Sequence, residues 1–297
     1  MESIPYIGEI LSLLTAVFWA VAVILFKKSG ETVHPIGLNL FKNAMGFLLL
    51  LVTLGLFKEA LLLQVPLADY GLLMLSGAIG IGIGDTLLFA CLNLLGAGLT
   101  AIVDCLYSPF IIVFAVLFLG ERLTFLQIFG AVLVVFAVLT ISLKGGGLDI
   151  DRPKFIRGII FGILAILSTA VGVVIVKPLL SRVPFLWATE VRLLGALLML
   201  TLILLFHHGR RKILSSILDK KSRLYVIAGS FFGAYMAMLF WLGGMKLTQA
   251  SIASALNQTN SIFIVILAAV WLKEPLNARR IFAIIIAFLG VILVSFG

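Results

Sequence analysis

Residues 98–123, GLTAIVDCLYSPFIIVFAVLFLGERL, and residues 251–276, SIASALNQTNSIFIVILAAVWLKEPL, decide how this chain folds. Laid over one another at an offset of 153, they place Asp104 on Asn257, Ser108 on Ser261, Glu121 on Glu274 and Leu123 on Leu276. The register runs outward without a gap from about residue 71 to 140, aligning Gly80 with Gly233 and Phe129 with Phe282. Toward the start of each half the offset becomes 150, which pairs Gly8 with Gly158, Lys27 with Lys177 and Lys42 with Arg192. Matched charges and glycines at constant spacing mark an internal repeat.

The surrounding composition says what medium the repeat folds in. Of 297 residues, 62% are apolar, 12% charged and 11% aromatic, and the mean hydropathy is +1.24. Soluble domains run about 45–50% apolar and about 25% charged. A soluble enzyme, a disordered chain and a secreted disulfide scaffold are all excluded. Apolar runs fall at about 7–28, 35–57, 70–95, 98–119, 124–143, 157–177, 184–206, 224–246, 250–272 and 278–296. Each is long enough to cross about 30 Å of hydrocarbon at about 1.5 Å per residue. Backbone in lipid must satisfy its own hydrogen bonds, and the alternating ten-residue segments of a barrel are absent, so the runs read as helices.

The expected fold is therefore an all-α polytopic membrane protein, with ten transmembrane helices in two inverted five-helix repeats. Residues 1–144 form the first repeat, 145–156 the linker and 157–297 the second. Five is odd, so the second half enters the membrane from the opposite side. Secondary transporters use this arrangement, with a solute site near the midplane between the halves. The start, Met1-Glu2-Ser3-Ile4-Pro5, lacks a basic n-region and a cleavage site, so the first run is expected to be a retained helix. The net charge of +9 fits basic loops meeting lipid headgroups, and no soluble segment is large enough to bind nucleic acid. His207 to Arg223 is the longest polar stretch and is expected to form a short basic helix on the membrane surface.

Ionisable side chains inside hydrocarbon cost about 2.5–3.5 kcal/mol each on insertion scales and normally face a cavity or a partner. Lys27, Lys42, Asp85, Asp104, Lys177, Glu190 and Arg192 all fall within or at the ends of the runs. Counting along each run puts Lys27, Lys42, Asp85 and Asp104 in one layer, with Asp85 or Asp104 paired to Lys42. Lys177, Glu190, Arg192 and Asn257 form a second layer nearer the amino-terminal side. Asp104, Tyr107 and Ser108 stand at i, i+3 and i+4, as do Asn257, Asn260 and Ser261, so each triplet shares a helix face. Two such polar stripes read as cavity walls, since lipid offers amides no partner. Glu190 and Arg192 are two apart and point to different faces. Pro109 frees a carbonyl and bends its helix.

Trp19 and Trp241 are candidates to stack on a solute, and Tyr235 is a further candidate binding residue. Small residues recur every four positions at Ser76, Gly80 and Gly84 and again at Gly229, Gly233 and Ala237, which fits close helix packing. Gly80-Ile81-Gly82-Ile83-Gly84-Asp85 lies inside an apolar span with no preceding strand and is not a nucleotide loop. Cys91 and Cys105 lie in apolar runs and report packing. H-E-x-x-H, G-x-S-x-G and P-loop motifs are absent, and His34, His207 and His208 lie near loops. No catalytic residue, metal or cofactor is expected.

With Lys27 and Lys177 closing the first helix of each half, Lys42 and Arg192 early in the next, and Leu119-Gly120-Glu121-Arg122-Leu123 and Leu272-Lys273-Glu274-Pro275-Leu276 after the fourth and ninth runs, the chain resembles the EamA-type members of the drug/metabolite transporter superfamily over essentially its whole length. That resemblance implies a metabolite exporter with a central cavity between the halves, carrying amino acids, other small metabolites or drugs. It also implies both termini inside the cell. Position 42 is Lys where the family usually has Arg, which weakens any bidentate role there.

Charge counting points the other way on orientation. Setting aside Lys42 and Arg192, fifteen of the remaining 20 Lys and Arg lie in loops opposite the amino terminus and five on its own side. The positive-inside rule then puts both termini outside.

The expected function is a secondary transporter and exporter of a small metabolite such as an amino acid, working by alternating access. Its cavity is walled by the first, third, fourth, sixth, eighth and ninth runs, in the cell (inner) membrane. Its partners are the solute and membrane lipids, and the chain is a monomer or homodimer. Asp85, Asp104 and Glu190 are candidates to carry a coupling proton, with uncoupled diffusion the competing scheme. An intramembrane enzyme acting on lipid is the reading from another class, disfavoured because the repeat is symmetric.

Overall fold

A computed structural model describes residues 6–119, 124–142, 151–247 and 256–296. Among these residues every regular element is helical and no strand is present. The chain runs α1 (Ile7–Ser29), α2 (Pro35–Leu56), α3, α4 (Ala97–Asp104), α5 (Tyr107–Leu119), α6 (Phe125–Ser142), α7 (Arg152–Val176), α8 (Phe185–Phe206), α9 (Arg210–Ile217), α10, α11 (Asn260–Trp271) and α12 (Ala278–Phe296). Two of these change gauge midway. The α3 helix passes from Leu67–Gly77 through a π-helical stretch, Ala78–Ile83, into Gly84–Leu95. The α10 helix does the same through Arg223–Ser230, π-helical Phe231–Ala237 and Met238–Leu247.

Six helical spans are long and apolar enough to cross a membrane, and four shorter apolar helices accompany them among the described residues. Their outward faces carry large apolar side chains that water would not tolerate as a continuous belt. On α2, Leu48, Val52 and Leu56 are exposed; on α8, Leu198, Leu202, Leu205 and Phe206 are. The chain is a polytopic helical membrane protein.

Helix ends follow local chemistry. His34 caps α2 by accepting the Ile36 N–H on Nδ1, and Pro35 takes the first position, where a missing N–H costs nothing. Pro153 takes the second position of α7, which begins at Arg152, ahead of the 157 expected and inside the expected 145–156 linker. Gly96, with φ of 85°, makes the turn between α3 and α4.

The expected single helix over 98–119 is broken. Cys105 and Leu106 form a turn that separates α4 from α5, so Asp104 and Tyr107 are not on one continuous helix. Gln258 and Thr259 interrupt the 250–272 run in the same way, and residues 248–255 of that run lie outside the described residues. The two breaks stand 153 residues apart, as do the first residues of the π-helical stretches, Ala78 and Phe231.

The bundle packs tightly where glycine replaces a side chain. A β-carbon on Gly77 would fall on the Arg192 carbonyl, and one on Gly195 would strike the backbone of Met74, so α3 and α8 cross backbone to backbone. Gly80 likewise meets Gly172 of α7. At one end of the bundle the 30–34 turn, the 95–97 turn, α9 and the 272–280 segment meet, as the His34–Ser216, Lys27–Asn93 and Glu274–Ala97 hydrogen bonds show. At the other end Trp187 Nε1 donates to the Leu61 carbonyl, and Arg182 lies 3.8 Å from Asp69.

Candidate functional site

The helices leave a cavity of about 190 Å³ in the middle of the bundle. The α2 helix brings Lys42, which is 3% exposed, onto Asp85 just past the π-helical stretch of α3, with Nζ 2.6 Å from Oδ2. Lys42 also donates to Asn43 Oδ1 at 2.9 Å. The widened π turn is held by α2. Asn39 Nδ2 donates to the carbonyls of Ile81 and Gly82 at 2.9 and 3.0 Å, while Asn43 Nδ2 donates to Asn39 Oδ1 at 2.8 Å. Thr86 Oγ1 closes the set on the Gly82 carbonyl at 2.7 Å. π-Helical turns recur at functional sites because they re-aim the side chains that follow, here Asp85.

The opposite wall is built from α8. Arg192 Nε donates to Ser76 Oγ at 3.1 Å, and that hydroxyl donates to the Gly172 carbonyl at 2.6 Å. The guanidinium then reaches the cavity beside Gly80. No carboxylate among the described residues lies within ion-pair distance of it. Asp104, at the end of α4, lines the same cavity and has neither a hydrogen bond nor an ion pair among the described residues. Asn257 Oδ1 is buried without a hydrogen-bond partner, and Asn260 Oδ1 accepts from Ser261 Oγ at 3.1 Å. The Lys42–Asp85 pair is self-neutralising. A guest meets the Arg192 guanidinium, the Asp104 carboxylate, the Asn257 and Asn260 amides and the rings of Trp19, Tyr107 and Trp241, among other lining residues.

Of the residues expected to bind solute, Trp19, Lys42, Asp85, Asp104, Tyr107, Arg192, Trp241, Asn257 and Asn260 line this cavity. Two do not. Glu190 is buried on α8 but faces away from Arg192, since two residues turn a helix by about 200°, and neither of its carboxylate oxygens has a hydrogen bond. Tyr235 turns its hydroxyl to Thr53 Oγ1 at 2.9 Å and packs with Leu50 and Leu54. The Ser108 side chain lies outside the described residues. The end-of-helix lysines are also misplaced by the layer reading. Lys27 donates to the Asn93 carbonyl at 3.3 Å at one end of the bundle, and Lys177 is exposed in the turn after α7. Asn43, Thr169 and Gln258 line the cavity unforeseen. The spacing Asn39, Lys42, Asn43 on one face of α2 was the available signal for the first.

The sequence pattern of the EamA-like transporter family matches residues 6–143 and again residues 156–296. The chain belongs to the EamA-like transporter family. The family is part of the drug/metabolite transporter superfamily. A protein of Archaeoglobus fulgidus named an uncharacterized transporter is 25% identical over 300 residues, covering 96% of each chain. One crystal structure superposes with a TM-score of 0.67 at 18% identity, spanning 96% of this chain and 95% of that one, which shows a shared fold. The chain is thus a membrane transporter.

Proposed function

We propose that this EamA-like chain is a secondary transporter that exports a small zwitterionic metabolite, an amino acid or a relative of one, across the cell membrane. The observation that carries the reading is that Arg192 and Asp104 line one cavity, neither within ion-pair distance of an opposite charge among the described residues. A buried guanidinium seeks a carboxylate and a buried carboxylate seeks an ammonium, because an unpaired charge out of water is costly. A cavity of about 190 Å³ suits such a solute and is smaller than the ~300–1,000 Å³ typical of drug sites.

Alternating access is supported by the recurrences at an offset of 153. The π-helical stretches and the helix breaks at Cys105–Leu106 and Gln258–Thr259 fall at matching positions, and the family pattern fits the chain twice. In this reading the four shorter apolar helices join the six long spans to give ten crossings in two inverted halves. One half rocks against the other around the fixed cavity. Ala, Gly and Ser at the α3, α7 and α8 crossings allow that sliding.

Counterflow in proteoliposomes loaded with an unlabelled amino-acid mixture tests the reading. Accumulation of a labelled amino acid, lost in Arg192→Gln and in Asp104→Asn, is the expected outcome. Counterflow unaffected by either substitution removes the cavity from the transport path.

A further inference from the structure

A second hollow, of about 370 Å³, opens at the end of the bundle that carries α9. It is walled by the 30–35 turn, Asn93, His207, Gly209, Lys212 and Ser216. We propose that this hollow binds the phosphate group of an anionic membrane phospholipid.

The donor set is the first argument. His34 Nδ1 accepts the Ile36 N–H at 3.3 Å, and His207 Nδ1 accepts the Gly209 N–H at 3.0 Å. A neutral imidazole with one nitrogen accepting carries its proton on the other. Both rings, whose centroids are 6.1 Å apart, therefore present Nε2–H donors, and Lys212 adds an ammonium. Glu31, the one carboxylate on the wall, lies 3.5 Å from the Lys28 ammonium, which offsets its charge. The Ser216 hydroxyl is engaged at the Ile213 carbonyl and accepts the His34 N–H. Donors with an unsatisfied positive charge suit an oxyanion.

The setting selects a lipid over a soluble phosphate. The hollow lies where α8 leaves the apolar layer, beside Leu205 and Phe206, the latter 78% exposed. The side chains of Leu214 on α9 and Leu218 just past its end are exposed, while Ile213 is buried against α2 at Gly37. These exposed apolar side chains, on segments adjoining the hollow, offer surface to an acyl chain. Arg210, Arg211, Lys220, Lys221 and Arg223 surround Lys212 in the same stretch, against the single carboxylate of Asp219. Basic clusters at a membrane surface attract anionic headgroups.

The test is the melting midpoint of the purified protein in detergent, titrated with short-chain phosphatidylglycerol, short-chain phosphatidylcholine or inorganic phosphate. Phosphatidylglycerol is expected to raise the midpoint at concentrations where phosphatidylcholine does not. Lys212→Gln weakens the apparent affinity for phosphatidylglycerol about fivefold. His34→Asn with His207→Asn, which keep an acceptor for each backbone N–H, weaken it further, whereas Lys220→Gln with Lys221→Gln changes it less than about twofold. Equal responses to the two lipids, or an unchanged phosphatidylglycerol response in the Lys212 and histidine variants, overturn the site. Saturation by inorganic phosphate at the same concentration overturns the lipid assignment in favour of a soluble anion. Should the histidine variants fail to fold, the two-lipid comparison on the unaltered protein and Lys212→Gln still decide.

Discussion

The carboxylate of Glu274, from the far end of the sequence, accepts the backbone N–H of Ala97 at 2.7 Å and so caps α4 in the other half of the chain. Its second oxygen accepts the Gly98 N–H at 3.0 Å, and Arg280, 2% exposed, lies 3.9 Å from it while donating to the Pro275 carbonyl at 2.8 Å. A negative charge on a helix amino terminus satisfies orphan donors and the helix dipole together. This contact ties the 95–98 turn to the 274–280 segment across the bundle end, so it must open if solute leaves by that end. Glu274→Ala is expected to cost about 2 kcal/mol of stability. In a background with Cys91 and Cys105 replaced, a cysteine at Leu88 in the cavity wall should then react faster with an impermeant maleimide applied from that end. Unchanged labelling would show that the cap does not gate the cavity.

The Lys42–Asp85 pair sets up a double-mutant cycle. Removing one partner leaves a buried charge uncompensated, which costs about 3–5 kcal/mol. Lys42→Gln and Asp85→Asn should each lower the denaturation midpoint strongly, and the combination should recover most of the loss. Additive losses would mean that the two groups are not coupled in the membrane.

Two glycines on α3 make opposite predictions. Gly77→Ala drives a β-carbon into the Arg192 carbonyl and should abolish folding or cost more than about 3 kcal/mol. Gly71 faces open space, so Gly71→Ala should be neutral or stabilise by up to about 1 kcal/mol. Equal tolerance at both positions would contradict the α3–α8 crossing.

His34 gives a pH signature. Burial, and then the neighbouring His207, hold its imidazole below the usual histidine range, and its neutral Nδ1 caps α2. Because the folded value is depressed, this contribution is complete above the unfolded pKa of about 6.5 and is lost as pH falls through the folded value. The melting midpoint of the unaltered protein should therefore drop on acidification below about pH 6.5 more than that of His34→Asn. Parallel pH profiles would dismiss the cap.

How much of this could be read from residues alone depended on contrast. Helix ends at Ser29, Leu56 and Phe206 stand where charge or Pro and Gly interrupt apolar runs, and expected and observed limits agree within a residue. The turn at Cys105–Leu106 lies four residues before Pro109, which has no N–H to donate back to Cys105, whereas the π-helical stretches occur among residues as apolar as their neighbours and leave no such trace. Lys42, Asp85, Asp104 and Arg192 were conspicuous because charge is expensive in lipid. Glu190 was conspicuous for the same reason, yet expense does not say which way a side chain faces. The two-residue step along α8 turns it away from Arg192, and it does not line the cavity. Nothing in the sequence around Tyr235 showed that its hydroxyl serves a neighbouring threonine, Thr53, outside the cavity.

The most direct measurement of the cavity's role is ligand-induced stabilisation of the purified transporter by amino acids, their carboxamides and their N-acetyl derivatives. A zwitterion that fits should stabilise by about 2.7 kcal/mol at a hundred times its Kd. Both blocked forms should fail at that concentration, Arg192→Gln should lose selectivity against the carboxamide, and Asp104→Asn should lose it against the N-acetyl form. Stabilisation that survives blocking of either charge would contradict a site built from Arg192 and Asp104.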